Sequence, residues 1–167
     1  TAVAWKVALE TRDRPVLLVL SRQSVPTLDR RRYAPADGLR RGAYVLLDAV
    51  KARPDLILIA SGAEVALIAS ASERLRSEGI AVRCVSMPSW DLFESLPRAD
   101  RERVLPPSVP ARLAVEAGSP QGWCRYVGDR GDVLAVDPFG ASAPGKEVLR
   151  EYGFTVDNVC NRVRTLL

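Results

Sequence analysis

The sequence contains no histidine among its 167 residues, and this absence excludes imidazole as a catalytic base or a metal ligand. The three cysteines, Cys84, Cys124 and Cys160, lie far apart and form no Cys-X-X-Cys pair. Such an odd, scattered set predicts reduced thiols, as in a cytoplasmic protein. No apolar run has the length of a membrane span, and we expect neither a signal peptide nor contact with a membrane.

The excess of positive over negative charge is also small. The chain has 24 Lys and Arg against 20 Asp and Glu, a net charge of +4, and the two signs alternate along the sequence. The densest basic run, 30–32, falls in a proline-containing stretch, which is typical of a solvated connection. We therefore do not expect nucleic acid as a partner.

What the sequence does have is a repeated alternation of strand and helix patterns. Apolar runs of strand length are separated by amphipathic or capped segments, which favours a mainly parallel sheet covered by helices on both faces. We predict an α/β fold of three layers with about five strands. The predicted strands are 15–20, 43–49, 55–60, 80–86, 112–117 and 132–137, and the main predicted helices begin near residues 1, 61, 89, 119, 145 and 155.

Composition divides the chain into three parts. The helix and strand before residue 21 cannot bury a core by themselves, so we expect residues 1–23 to be the tail end of another domain. Residues 24–42 contain several prolines and few glycines and predict an ordered linker. Residues 43–167 carry the remaining strands and helices and predict a domain of ordinary size.

Several polar residues follow predicted strands, and each has a structural interpretation. Ser61 and Glu64 have the spacing of a helix capping box, which accounts for the Ser-Gly-Ala-Glu turn better than a phosphate-binding loop does. Glu116 and Asp137 end their strands and could do acid–base work, but hydrogen bonding to helix amino ends or contact with a partner is favoured. The segment 139–147 predicts a turn that caps the next helix.

Other residues of interest are aromatic, apolar or helix-starting. Trp90, Phe93 and Trp123 are too scattered in sequence to predict a stacking platform, and a core or interface role is favoured. Cys84 lies in a strand pattern and predicts a small core residue. Thr155 is predicted to cap the last helix, and Ser119-Pro120 to begin an earlier one.

Arg22 stands apart from these residues. It directly follows the apolar run 16–20, in the triplet Ser-Arg-Gln, and ligands of open α/β sheets bind beyond the carboxyl ends of strands. A guanidinium presents a planar fork suited to phosphate or carboxylate. A surface salt bridge is the alternative interpretation.

Segments along the whole chain closely resemble the carboxyl-terminal part of a transketolase. The segments LSRQ, SMPS and YGFTVDNV carry this resemblance most specifically. The full set, in order, is TAVAWKVALE, LVLSRQ, GAYVL, LIASGAEVALI, VSMPSWDLFE, RLAVEAG and FGASAPGKEVLREYGFTVDNV.

The resemblance implies the following expectations. Residues 1–23 would end the pyrimidine-binding domain, and residues 43–167 would be the carboxyl-terminal domain, whose five-stranded sheet has one antiparallel edge strand. Arg22 would help hold the phosphate of a sugar-phosphate substrate. Thiamine diphosphate and Mg²⁺ would be bound by regions absent here, so the chain would contain no catalytic, cofactor-binding or metal-binding residue and be inactive alone. The intact enzyme would be a homodimer of the pentose phosphate pathway.

Alternatives remain open at this point. The chain could belong to another thiamine enzyme, such as dihydroxyacetone synthase, or be a stand-alone regulatory or interaction module of the same fold. For the carboxyl-terminal domain, a structural and dimer-contact role is favoured over an effector site, because likeness of fold is weak support for function.

Overall fold

The computed structural model describes all 167 residues. Its helices are α1 (Ala2–Glu10), α2 (Glu64–Ser77), α3 (Trp90–Glu94), α4 (Arg98–Val104), α5 (Cys124–Val127), α6 (Gly145–Glu151) and α7 (Val156–Leu166), with a 3-10 helix at Ala36–Arg41. Its strands are β1 (Tyr44–Leu47), β2 (Leu56–Ala60), β3 (Val82–Ser86), β4 (Arg112–Glu116) and β5 (Asp132–Ala135).

The five strands form one sheet in the order β1-β3-β2-β4-β5. Strands β2 to β5 pair in parallel, whereas β1 lies antiparallel to β3 at the edge. The predicted fold class, with its single antiparallel edge strand, is confirmed. Strand β2 is fully buried along its length, as expected for a central strand of a parallel sheet.

Side chains of β2 alternate between two cores, one on each face of the sheet. Leu56 and Leu58 pack with α2 and α7, while Ile57 and Ile59 face the other way, toward Phe93 and Tyr126. This alternation follows from the two-residue period of a strand. The three predicted layers are therefore present.

The helix boundaries follow local signals in most places. Ser89 and Thr155 accept hydrogen bonds from the N–H groups of Leu92 and Asn158 and cap α3 and α7. Gly79, with φ +86°, follows the end of α2, where a left-handed residue is favoured. These predicted boundaries are confirmed, as is the burial of Cys84, which is fully inaccessible to solvent.

Two predicted elements are wrong. Residues 15–20 belong to no strand, because none of the strands of the sheet pairs with them and an extended segment without partners makes no ladder. No helix begins at Ser119-Pro120; instead the chain turns through Gly122, with φ +86°, and α5 begins only at Cys124.

Part of the stretch 24–42 packs against the core. Tyr33 is buried in the same core as α2, and its hydroxyl donates to Glu73 Oε1 at 3.0 Å. Arg40 pairs with Glu10 at 2.6 Å and so connects the 3-10 helix to α1. No helix of the chain is long and apolar enough to cross a bilayer.

Candidate functional site

The candidate site lies where the order of the sheet reverses. From β2 the chain moves to β3 on one side, whereas from β4 it moves to β5 on the other, and β2 and β4 are neighbours. The carboxyl ends of these two strands therefore form a topological switch point, the position at which open α/β sheets most often bind ligands. Ser61 follows β2 directly, and Glu116 ends β4.

Ser61 and Glu116 are joined across the switch point. The Ser61 hydroxyl donates to Glu116 Oε2 at 2.6 Å. The predicted capping box is therefore wrong: the N-cap of α2 is Ala63, and no side chain caps the helix. The serine hydroxyl is used by a charged acceptor from the next strand, which makes a stronger hydrogen bond than a neutral one does.

Glu64, the first residue of α2, brings a second carboxylate to the same place. Burial raises its pKa above the usual range of a glutamate. The backbone N–H groups of Glu64 itself and of Ala117 act against that rise, and the charge of Glu116 adds to it. The carboxylates of Glu64 and Glu116 therefore both lie at the switch point. Asp137, the other acid predicted at a strand end, is exposed after β5.

A cavity of about 350 Å³ opens beside these groups. It is lined by Ser61, Met87, Pro88, Trp90, Glu116, Gly118, Ser119 and Trp123. Most lining residues lie at or just after the carboxyl ends of β2, β3 and β4, whereas Trp90 begins α3 and Trp123 precedes α5.

The aromatic residues near the cavity form a cluster although they are scattered in sequence, and the core role predicted for them is confirmed. The rings of Trp90 and Trp123 are perpendicular, with centroids 5.0 Å apart, and the ring of Tyr126 lies 5.1 Å from Trp90 and 6.1 Å from Phe93. Burial raises the pKa of Tyr126 to about 12, with the nearby carboxylate of Glu94 adding to the effect. The cluster belongs to one core, and its two tryptophans, Trp90 and Trp123, line the cavity.

Arg112 holds this cluster in place relative to β4. Its guanidinium donates to the carbonyl oxygens of Tyr126 at 2.7 Å, Pro106 at 2.9 Å and Val109 at 3.0 Å. Burial lowers its pKa, and the carbonyl acceptors compensate for the lost hydration. The side chain therefore fixes the end of α5, and with it Trp123, next to the strand that ends in Glu116.

The remaining predicted residues lie outside this site. Arg22 is exposed in the segment that precedes the 3-10 helix. In the stretch 139–147, residues 139–144 lead into α6 and residues 145–147 are its first turn, but Pro144 is the N-cap and no side chain caps the helix. That part of the expectation is wrong.

Neither a metal nor a diphosphate cofactor fits the residues of the switch point. No group of three or more His, Cys, Asp or Glu side chains could hold a metal ion. The two carboxylates at the switch point would repel the diphosphate, since like charges placed close together raise each other's energy.

The sequence contained a partial signal for the site. Ser61 and Glu116 were each identifiable as polar residues at strand ends, but their pairing depends on the strand order. The pairing of Trp90 with Trp123 depends on the crossovers on one face of the sheet, and no local pattern reports it.

Comparison with known proteins identifies relatives over the whole chain. A family model described as "Transketolase-like TK C-terminal domain" matches residues 42–155. The chain is 53% identical over 167 residues to a transketolase of Geobacillus stearothermophilus and 48% identical to one of Bacillus subtilis. Each alignment covers 100% of this chain and 25% of the relative, so the chain spans about a quarter of the length of the proteins it matches.

Solved structures give the same result. The structure titled "Transketolase from Leishmania mexicana" superposes with a TM-score of 0.89 at 36% identity, over 99% of this chain and 23% of that one. The fold and the sequence therefore point to the same family.

Proposed function

The chain belongs to the transketolase family, and we propose that it is the carboxyl-terminal part of an enzyme that transfers a two-carbon ketol unit between sugar phosphates. The observation that carries this proposal is the 53% identity to a transketolase along all 167 residues. The reaction would belong to the pentose phosphate pathway, and the free cysteines of the chain are in keeping with a cytoplasmic enzyme.

The cofactor belongs to the intact enzyme rather than to this chain. Thiamine diphosphate, held with Mg²⁺, supplies the electron sink for ketol transfer. The chain has no histidine and no group of three or more His, Cys, Asp or Glu side chains that could hold a metal ion. We assign both to the three quarters of the enzyme that lie outside this chain, and we expect the chain alone to be inactive.

Arg22 is the substrate residue of this chain in our proposal. It is exposed, so its guanidinium is accessible to a ligand, and a phosphate offers it paired charge-assisted hydrogen bonds. The phosphate is remote from the bond that breaks, so binding it would position the sugar for reaction.

The remaining part of the enzyme is the proposed partner of residues 1–23. Leu17 and Val19 are 85% and 86% exposed, and Leu9 is 69% exposed. Apolar surface of this kind in one segment marks an interface. We propose that the pyrimidine-binding domain covers it in the intact homodimer, with the carboxyl-terminal domain in a structural and dimer-contact role.

The experiment compares Arg22→Ala with the unmutated enzyme in a full-length transketolase that contains this chain. We expect KM for phosphorylated sugars to rise about 10- to 100-fold, because the substitution removes a hydrogen bond to a charged group that contributes about 1.5–3 kcal/mol. KM for unphosphorylated ketoses should change little, and the 167-residue chain should show no ketol transfer.

The matched control is Arg31→Ala, which removes another exposed arginine whose partner is Asp29 at 3.3 Å. This variant should keep KM for both kinds of sugar. An equal rise in KM for phosphorylated and unphosphorylated sugars with Arg22→Ala would reject the phosphate role. A full-length enzyme without thiamine diphosphate or ketol-transfer activity would reject the function itself.

A further inference from the structure

The cavity at the switch point has no part in the function proposed for Arg22. Its volume of about 350 Å³ is within the range of small-molecule sites, which is about 300–1,000 Å³. Its lining combines a carboxylate, two serine hydroxyls and two indole rings, from Glu116, Ser61, Ser119, Trp90 and Trp123. A small number of polar groups placed beside apolar side chains is typical of a binding site.

The charge of the cavity is negative and not compensated. Glu116 lines it, Glu64 lies beside Glu116, and no lysine or arginine is among the lining residues. Ser61 donates to only one oxygen of Glu116, Oε2. The second oxygen, Oε1, lies beside Gly118, and a Cβ added to this glycine would be 3.4 Å from Oε1. Because glycine has no side chain, that space is open to a ligand.

The aromatic wall is closely packed. Trp123 is 2% exposed and its ring is perpendicular to that of Trp90, which is itself partly exposed. Gly122 has φ +86°, and a Cβ there would lie 2.6 Å from Cζ3 of Trp90. The turn therefore requires glycine both for its backbone conformation and for the close approach of the indole.

We propose that this cavity binds a small organic cation, with its ammonium group beside Glu116 and its apolar part against Trp90. A carboxylate attracts the positive charge of an ammonium group, quaternary groups included, and an indole face attracts the same cations. An anion such as a phosphate would be repelled by Glu116 and Glu64. A divalent cation lacks a third protein ligand, since no group of three or more ligating side chains exists.

Choline chloride is the probe, and its neutral isostere 3,3-dimethylbutan-1-ol is the matched control ligand. Binding is followed by tryptophan fluorescence of the full 167-residue chain carrying Trp5→Phe, which removes the exposed tryptophan distant in sequence from the site. We expect a saturable change with choline, and at least tenfold weaker binding of the alcohol. Inorganic phosphate and the neutral polyol xylitol should give no saturable change.

Two substitutions locate the bound cation. Glu116→Gln keeps the shape and the acceptor for Ser61 but removes the charge that attracts the cation, and it should weaken choline binding about tenfold or more. Trp90→Leu should weaken it as well, because it removes the π-face. Glu147→Gln, an exposed glutamate of α6, should leave binding unchanged.

The outcomes that overturn the proposal are distinct. Equal binding of choline and the alcohol would show that charge has no role, and binding of xylitol or phosphate instead of choline would assign a different ligand class. Absence of any saturable change would show that the cavity is not a site for cations. If Glu116→Gln fails to fold by circular dichroism, the comparison of choline with the alcohol in the Trp5→Phe chain still decides.

Discussion

Glu64 is a carboxylic acid whose environment makes the stability of the chain depend on pH. Burial and the charge of Glu116 raise its pKa in the folded chain, so the folded state binds its proton more tightly than the unfolded state does. Stability from this group is full below the unfolded pKa, near 4.3, and is lost as the pH rises through the raised folded value.

Glu64→Gln should therefore stabilise the chain at pH 7 relative to the unmutated protein, because glutamine has no charge to bury. The advantage should shrink toward pH 4, where Glu64 is protonated in both states. Urea unfolding at the two pH values measures the difference. Glu147→Gln, at an exposed position, serves as control, and a Glu64→Gln effect of equal size at both pH values would contradict this assignment.

At the residue scale, sequence patterns identified the polar strand ends but not their partners. Ser61 and Glu64 have the spacing of a capping box, yet the Ser61 hydroxyl donates to Glu116, 55 residues away. A local signal fails where a charged group from a neighbouring strand competes for the same hydroxyl. Thr155 has no such competitor and caps α7 as its sequence predicts.

At the scale of elements, helix α7 illustrates how much a single cap contributes. Thr155 Oγ1 accepts from the N–H of Asn158 at 3.2 Å, satisfying a group that the helix leaves without an internal partner. Thr155→Ala should lower the free energy of unfolding by about 1 kcal/mol. Denaturant unfolding monitored by circular dichroism measures the loss.

The control for this helix is Thr165→Ala. The Thr165 hydroxyl donates to the Asn161 carbonyl at 3.2 Å within the exposed last turn, so its removal should change stability by less than about 0.5 kcal/mol. Equal losses for both variants would mean that the cap adds nothing beyond an ordinary exposed hydrogen bond.

Elements were predictable where their signals are local. The five strands of the sheet and helices α2, α6 and α7 follow from apolar periodicity and from boundary residues such as Gly79. The strand predicted at 15–20 is wrong because a strand requires partners, and an apolar run alone does not supply them. The helix predicted from Ser119 is wrong because Gly122, packed against Trp90, turns the chain first.

At the scale of the whole molecule, the strand order creates the cavity. Composition and alternation predict a layered α/β fold, and the antiparallel edge strand came from the resemblance to transketolases. Which strand ends meet depends on the order β1-β3-β2-β4-β5, so neither the Ser61–Glu116 pair nor the Trp90–Trp123 contact was accessible from sequence periods.

At the same scale, the packing of the first 40 residues determines how much of the chain can be deleted without loss of the core. Leu17, Val19 and Leu20 are exposed, whereas Tyr33 is buried in the core and donates to Glu73. Ala34 also donates its N–H to the carbonyl of Leu46 in β1, at 2.9 Å. The apolar surface and the packed part of the stretch before β1 are thus separated by residues 21–32.

Deletion of residues 1–26 should therefore raise solubility and leave a domain that unfolds in one cooperative transition, because it removes exposed apolar side chains and keeps Tyr33. Deletion of residues 1–40 should remove about 3 kcal/mol or more of stability, as expected for loss of a large buried aromatic side chain. Thermal and urea unfolding of the two shortened chains provide the comparison. If the shorter deletion abolishes the cooperative transition, the first 26 residues are part of the folding unit; if both deletions unfold alike, Tyr33 contributes nothing to the core.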